Sequence, residues 1–336
     1  MTDTRYDVLG IGNAIFDILG HVHEAALTDN GLEKGSMRLV TAEEALACDA
    51  LLTEAVRISG GSAGNSIAGV ASLGGRGAFI GKVATDTFGD AYASDMHRIG
   101  IEFSTPRLTD GTPTATSVIL VTPDGERTMN TFLGASQHLT EGDIDTALVD
   151  ASAITFLEGY LFDPAPAKAA FRTATERAAK VGRRAAVTLS DSFCIERHRA
   201  DFMEWLSSGQ VGIVLANTAE AKSLFETDDI ELACKKLGDL VPLAAVTMGE
   251  KGVRVLDKGA ATDVAAKPTK VVDLTGAGDL FAGGFLLGIA RGIAPAAAAE
   301  LGAIAAAEVI SHVGARPQVD LNELAGAAGI ALPAAA

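Results

Sequence analysis

Apolar and polar positions along the chain follow two rhythms. In the first, short apolar runs at Tyr6–Ile11, Ala78–Val83, Ile154–Leu157, Ala185–Leu189, Gly212–Ala216 and Leu243–Thr247 have strand length and no polar face. Such runs predict strands covered on both sides. Helical spacing separates them near 62–73, 89–99, 165–181, 196–207 and 218–239, and two Ala-rich helical stretches follow near 276–291 and 295–311. Short strands are also expected at Val253–Leu256 and Val271–Val272, and the small-residue tail Leu332–Ala336 is expected to fray. Strand–helix alternation predicts a three-layer α/β unit with a mostly parallel central sheet.

The second rhythm interrupts the first. Ile15–Val22, Thr116–Val121 and Arg127–Leu133 are β-rich, and the last two flank Pro123-Asp124-Gly125, so they predict a hairpin. Segments 15–48 and 104–132 therefore read as insertions that pair into a small β lid. Residues 1–14, 49–103 and 133–336 form the expected main α/β domain. A small sheet beside such a domain can close over a cleft.

Composition narrows the function. With 27 basic and 43 acidic residues among 336, the net charge is −16, which disfavours nucleic acid as a partner. A polyanion such as ATP would need a local site of N–H groups or metal ions. The three cysteines, Cys48, Cys194 and Cys234, are far apart and show neither a disulfide framework nor metal-ligand spacing. The polar N-terminus and the broken apolar stretches predict no leader and no membrane span, hence a cytoplasmic protein.

Chemistry concentrates in two Gly-rich runs. Val272-Asp273-Leu274-Thr275-Gly276-Ala277-Gly278-Asp279 ends a strand and opens a helix. Small residues there let a phosphate meet exposed N–H groups, and a carboxylate in the first turn, Asp279, would face the place where phosphate meets its acceptor. Phosphoryl transfer needs such a base, with positioning and charge neutralisation. The plain alternative is a Gly-rich turn whose Asp only favours the helix N-terminus. The second run, Ser59-Gly60-Gly61-Ser62-Ala63-Gly64-Asn65-Ser66, opens another helix and offers Asn65 as donor and acceptor for hydroxyls. Gly10-x-Gly12 could suggest a dinucleotide fingerprint, but Ile15 stands at the third glycine and a strand-like segment follows.

Together the two runs resemble the paired signatures of the ribokinase-like carbohydrate and nucleoside kinases, the PfkB family. Gly12-Asn13 followed by Asp17, Asn217-Thr218-Ala219-Glu220, and Thr247-Met248-Gly249-Glu250-Lys251-Gly252 resemble three more of its elements, in the family's order. Within the family the chain is most similar to adenosine kinases, through Gly12-Asn13-Ala14-Ile15-Phe16-Asp17-Ile18 and Gly61-Ser62-Ala63-Gly64-Asn65-Ser66-Ile67. A sugar or another nucleoside is the alternative acceptor, as for ribokinase, fructokinase or 2-keto-3-deoxygluconate kinase.

The resemblance implies an ATP-dependent kinase with Asp279 as catalytic base and an anion-binding turn of Gly276, Ala277 and Gly278. It implies acceptor contacts from Asn13, Asp17, Gly60, Gly61, Asn65 and Ala135. Asn217, Thr247, Gly249 and Gly252 would bind ATP. Glu220 would hold Mg²⁺ through water, although an N-cap with a capping-box Glu explains Asn217 and Glu220 as simply. Asp273 would hold K⁺ together with carbonyls around Ser311–Gly314, or else accept backbone N–H bonds. Arg127 reads as a surface residue of the lid, with phosphate contact as the alternative. Phe16, Tyr160, Phe162 and Phe193 are candidate platforms for a base. The partners implied are ATP and a small acceptor, in a monomer or homodimer.

Overall fold

The structure is a computed structural model that describes residues 4–334, so the last two residues of the expected frayed tail lie outside it. Its strands are β1 (Tyr6–Ile11), β2 (Ile15–His21), β3 (Met37–Leu39), β4 (Val56–Ser59), β5 (Gly77–Ile80), β6 (Ala115–Val121), β7 (Arg127–Phe132), β8 (Ser152–Glu158), β9 (Arg184–Thr188), β10 (Ile213–Asn217), β11 (Leu243–Thr247), β12 (Val253–Asp257) and β13 (Ala260–Val264).

Eight strands form the main sheet in the order β13-β12-β11-β10-β9-β8-β1-β5. The pairs from β5 through β11 are parallel, and β12 and β13 add an antiparallel edge. All six residues of β1 are buried, as expected of a strand covered by helices on both faces. One apolar core contains Leu280 and Phe285 of the Ala277–Ala290 helix with Ile67 of the Ser62–Ser72 helix. The other contains Phe171 and Trp205 beneath the Ala165–Lys180 and Ser192–Ser207 helices. These two layers enclose the sheet and give the ribokinase-like three-layer architecture.

The second sheet has five strands in the order β3-β7-β6-β2-β4. The hairpin β6–β7 forms its centre, with Thr116 opposite Phe132 and Val121 opposite Arg127. Val56–Ser59, which follows residue 49, also lies in this sheet, so the small sheet extends past the expected boundary of the insertion. Directly paired residues share a face. Asp17 pairs with Ser117, Leu19 with Ile119 and Val56, Ile119 with Met129, and Met129 with Met37. One face of this sheet thus carries an apolar row, Val56, Leu19, Ile119, Met129 and Met37, beside one carboxylate, Asp17, with Ser117, Thr131, His21 and Arg127 on the same face.

Several elements depart from the pattern-based expectation. Val271–Val272 is no strand: both residues are exposed, and the N–H groups of Val272 and Asp273 donate to Ile310 O at 2.8 and 3.2 Å. The helix expected over 218–239 is two helices, Thr218–Phe225 and Ile230–Leu240, because Glu226 adopts a left-handed conformation and Asp229 caps the second. Segment 15–48 holds two short helices beside its strands, Glu24–Asp29 and Ala42–Asp49. The latter starts at a Thr41–Glu44 capping box. No helix among the described residues is long and apolar enough to cross a membrane.

Candidate active site

The site lies at the carboxyl edge of the parallel strands, where ligands of open α/β sheets bind. Its centre is the turn that starts the Ala277–Ala290 helix. Gly276 caps this helix with φ 80°, a left-handed conformation that favours glycine. A Cβ there would also lie 2.8 Å from Ala315 Cα. Leu280 N–H donates to Gly276 O at 2.8 Å, so the helix closes its first turn around Asp279. The N–H groups of Gly278 and Asp279 precede any possible intrahelical acceptor and can face an anion.

Asp279 joins the two Gly-rich motifs. Its Oδ1 accepts from Ser62 Oγ at 2.7 Å, and its Oδ2 accepts from Asn65 Nδ2 at 3.0 Å. Contacts across more than 200 residues of sequence thus hold the carboxylate in one orientation. Burial raises the Asp279 pKa, while the Ser62 and Asn65 donors and the Arg316 charge oppose the rise. A carboxylate held by donors yet raised in basicity is suited to taking a proton.

Asp17 approaches from the small sheet. A Cβ on Gly60 would sit 2.1 Å from Asp17 Oδ2, so only glycine admits the carboxylate at this distance. Gly61 follows with φ 83° and starts the Ser62–Ser72 helix. Among the described residues the Asp17 side chain accepts no hydrogen bond. Burial pushes its pKa up to about 7, against the Arg316 and Arg127 charges and with the help of Asp279. Such a group has acceptor capacity in reserve for hydroxyl donors.

Two buried amides point the same way. Asn13 Oδ1 and Asn65 Oδ1 are buried without a hydrogen-bond partner. Buried polar atoms are rarely left unpaired, so both atoms are suited to receiving ligand donors.

Two residues that sequence reasoning missed organise this cluster. Glu158, 1% exposed at the end of β8, accepts from Asn13 N–H at 2.7 Å and from Ala63 N–H at 2.9 Å. It ties the Asn13 loop to the Gly61–Ala63 turn. Burial raises its pKa to about 7, against those two N–H donors. A lone acid ending the apolar run Ile154–Leu157 was the available signal. Arg316 donates through Nε and Nη2 to Ser59 O at 2.9 and 2.6 Å, anchoring the residue before Gly60. It lies in the irregular segment after the Pro295–Val309 helix, where no periodic pattern marks it. We expect Glu158→Gln to raise the acceptor KM by about tenfold or more with little change in the ATP KM, because its amide cannot accept from both loops equally. Steady-state kinetics with each substrate varied checks this.

The expected nucleotide residues occupy the same sheet edge, farther along. Asn217 ends β10 opposite Thr247 at the end of β11. Gly249 and Gly252 flank the turn into β12. Two strand spacings separate β10 from β8, about 10 Å. Asn217 is also the N-cap of the Thr218–Phe225 helix in a full capping box with Glu220. Glu220 Oε2 accepts from Asn217 N–H at 3.0 Å and Oε1 from Asn217 Nδ2 at 2.6 Å. Burial pushes the Glu220 pKa up to about 7. Each carboxylate oxygen retains a second acceptor position, which fits a Mg²⁺ held through water. No cluster of three or more potential metal ligands occurs among the described residues.

Asp273 is occupied differently. Its Oδ1 accepts from Thr275 N–H at 3.0 Å, and its Oδ2 accepts from Gly314 N–H at 2.9 Å. Arg127 Nη2 lies 2.5 Å from Oδ2, and both side chains are at least nine-tenths buried. Arg127 is therefore no surface residue. The groups around Asp273 are donors and a cation, so a bound K⁺ does not fit there.

The remaining candidates make no hydrogen bond to Asp279 among the described residues. Ala135 is fully buried in the Gly134–His138 turn, and its N–H donates to Pro113 O at 2.8 Å. Phe162 is a core residue stacked on Phe202 at 4.1 Å, and buried Phe16 packs on Phe88 at 5.3 Å. Tyr160 donates to Ser190 O at 3.3 Å, whereas Phe193 is exposed.

This fold, with a carboxylate in the first turn of a Gly-capped helix and a small sheet carrying a second carboxylate, defines a class of small-molecule kinases. A family model described as pfkB family carbohydrate kinase matches residues 37–321, and the chain belongs to that family. The solved structure of adenosine kinase from Sinorhizobium meliloti is 47% identical, with a TM-score of 0.89 over 96% of this chain and 99% of that one. A probable sugar kinase protein from Rhizobium etli CFN 42 is 44% identical, with a TM-score of 0.90 over 97% and 99% of the two chains. Adenosine kinase of Saccharomyces cerevisiae is 26% identical over 90% of this chain and 94% of its own length. The chain is an ATP-dependent small-molecule kinase acting within the range of sugars and nucleosides.

Proposed function

We propose that the chain transfers the γ-phosphoryl group of ATP to the 5′-hydroxyl of adenosine, giving AMP and ADP. The observation that carries this reading is the shared face of the small sheet. Asp17 lies on it beside Leu19, Ile119 and Met129. A carboxylate next to an apolar row matches a ribose joined to a purine: vicinal hydroxyls donate to the acid, and the ring covers the apolar side chains. A free sugar would leave that row uncovered. The similarity to the Sinorhizobium meliloti adenosine kinase supports the same reading.

In this account Asn13 Oδ1 and Asn65 Oδ1 accept from the ribose, and Asp279 takes the proton of the 5′-hydroxyl as its oxygen bonds to the γ-phosphorus. The bond between that phosphorus and the β–γ bridging oxygen breaks, and ADP leaves. The Gly276–Gly278 turn and the helix N-terminus receive the charge on the transferred group. Asn217, Thr247, Gly249 and Gly252 hold the nucleotide, and Glu220 would hold a Mg²⁺ ion through water. That metal would neutralise charge on the phosphate oxygens.

The Asp17 pKa gives a pH test. Burial raises its carboxyl to about 7 in the free enzyme, and protonation below that value removes the charge that strengthens its bonds to hydroxyl donors. We expect kcat/KM for the acceptor to rise with pH and level off above about 7. A limb centred near the ordinary carboxyl value of about 4 would remove Asp17 from control of acceptor capture.

A second reading, a sugar acceptor, is favoured by the similarity to the Rhizobium etli protein. ADP release from Mg-ATP, compared across adenosine, inosine, ribose, fructose and 2-keto-3-deoxygluconate, separates the two. Adenosine should give the largest kcat/KM; a larger value for ribose or fructose replaces the nucleoside reading by the sugar reading.

A further inference from the structure

Asp273 precedes the anion-binding turn by two residues and shapes the chain that leads into it. The family resemblance implies a monovalent metal ion at this carboxylate, and such an ion would need oxygen ligands. Here the oxygens of Asp273 face the N–H groups of Thr275 and Gly314 instead of carbonyls. The Arg127 guanidinium is paired with the same carboxylate at 2.5 Å, and its Nη1 donates to Thr275 Oγ1 at 2.8 Å. The two side chains are 10% and 5% exposed, so water screens the pair little. A metal ion brought against this carboxylate would meet a like charge within a few ångströms, or would have to displace a guanidinium that stays charged at any working pH.

We propose that Arg127 is the built-in cation of this site, and that phosphoryl transfer by this chain needs no monovalent metal ion. The charge comes from β7 of the small sheet, whereas the carboxylate belongs to the main domain. One side chain thus neutralises Asp273, fixes Thr275 and fastens the small sheet to the turn that receives the phosphoryl group. This inference rests on the kinase class and not on adenosine as the acceptor.

The experiment uses the intact chain with Mg-ATP supplied as a tetramethylammonium salt. ADP release is measured at one ionic strength in KCl, NaCl or tetramethylammonium chloride, with the best acceptor. Wild-type rates should agree within about threefold across the three salts, and a K⁺ advantage larger than that overturns the proposal. Arg127→Met should lose about tenfold or more in tetramethylammonium chloride and regain part of the loss in KCl. Unchanged turnover in a folded Arg127→Met protein would also overturn it. Thermal melting gives a readout independent of acceptor and turnover: the wild-type Tm should not differ between KCl and tetramethylammonium chloride. A wild-type Tm raised specifically by KCl contradicts the proposal, even where Arg127→Met does not fold.

Discussion

Asp279→Asn is expected to abolish turnover while leaving acceptor binding nearly unchanged. The amide matches the carboxylate in shape and can still accept from Ser62 or Asn65 through its one carbonyl oxygen, so the first turn of the Ala277–Ala290 helix should persist. It cannot take a proton from the attacking hydroxyl. General-base catalysis contributes roughly 10²–10⁴-fold, and a loss of that size or more in kcat is expected. Single-turnover rates together with an equilibrium acceptor Kd provide the check. A folded variant that loses less than about tenfold would take Asp279 out of the base role.

Asp17→Ala should harm adenosine use almost as severely, but through capture of the acceptor. In the free protein this carboxylate accepts no hydrogen bond among the described residues, which leaves both oxygens for the 2′- and 3′-hydroxyls. Charge-assisted bonds are about twice as strong as neutral ones. Removing them should cost about 2–4 kcal/mol in transition-state binding, roughly 30- to 1,000-fold in kcat/KM. The wild type should also use 2′-deoxyadenosine less well than adenosine, because one carboxylate oxygen then loses its donor. Equal kcat/KM values for the two nucleosides would place the ribose away from Asp17.

How much of this could be read from the chain follows from physics. β1, β8, β9, β10 and β11 are apolar runs buried on both faces, and burial of that kind leaves an unambiguous pattern. The Gly60–Gly61 and Gly276 turns were legible because left-handed backbone and close approach demand glycine, and Asn65 and Asp279 meet in the helices these turns open. The elements that escaped have weak local signals. Strand β4 is four residues long with two exposed side chains, and β13 is a mostly exposed edge. Val271–Val272 has β-branched residues in a segment that pairs with no strand, so propensity misled. The break at Glu226 needs a left-handed residue that is not Gly or Asn, which sequence punctuation does not announce. Glu158 and Arg316 act through partners 95 or more residues away, and Arg127 finds Asp273 only when the small sheet meets the main domain. Pairings of this kind arise from tertiary structure, and no local spacing encodes them.

The most direct test of the account is the position of phosphate on the product. Purified protein is incubated with Mg-ATP and adenosine, and the mixture is followed by phosphorus NMR with proton coupling. The account predicts a phosphomonoester coupled to the two 5′ protons, formed in equal amount to ADP and absent with Asp279→Asn. Phosphate on the 2′ or 3′ oxygen, or ADP formed from adenosine mixtures with inorganic phosphate as its only partner, would contradict it.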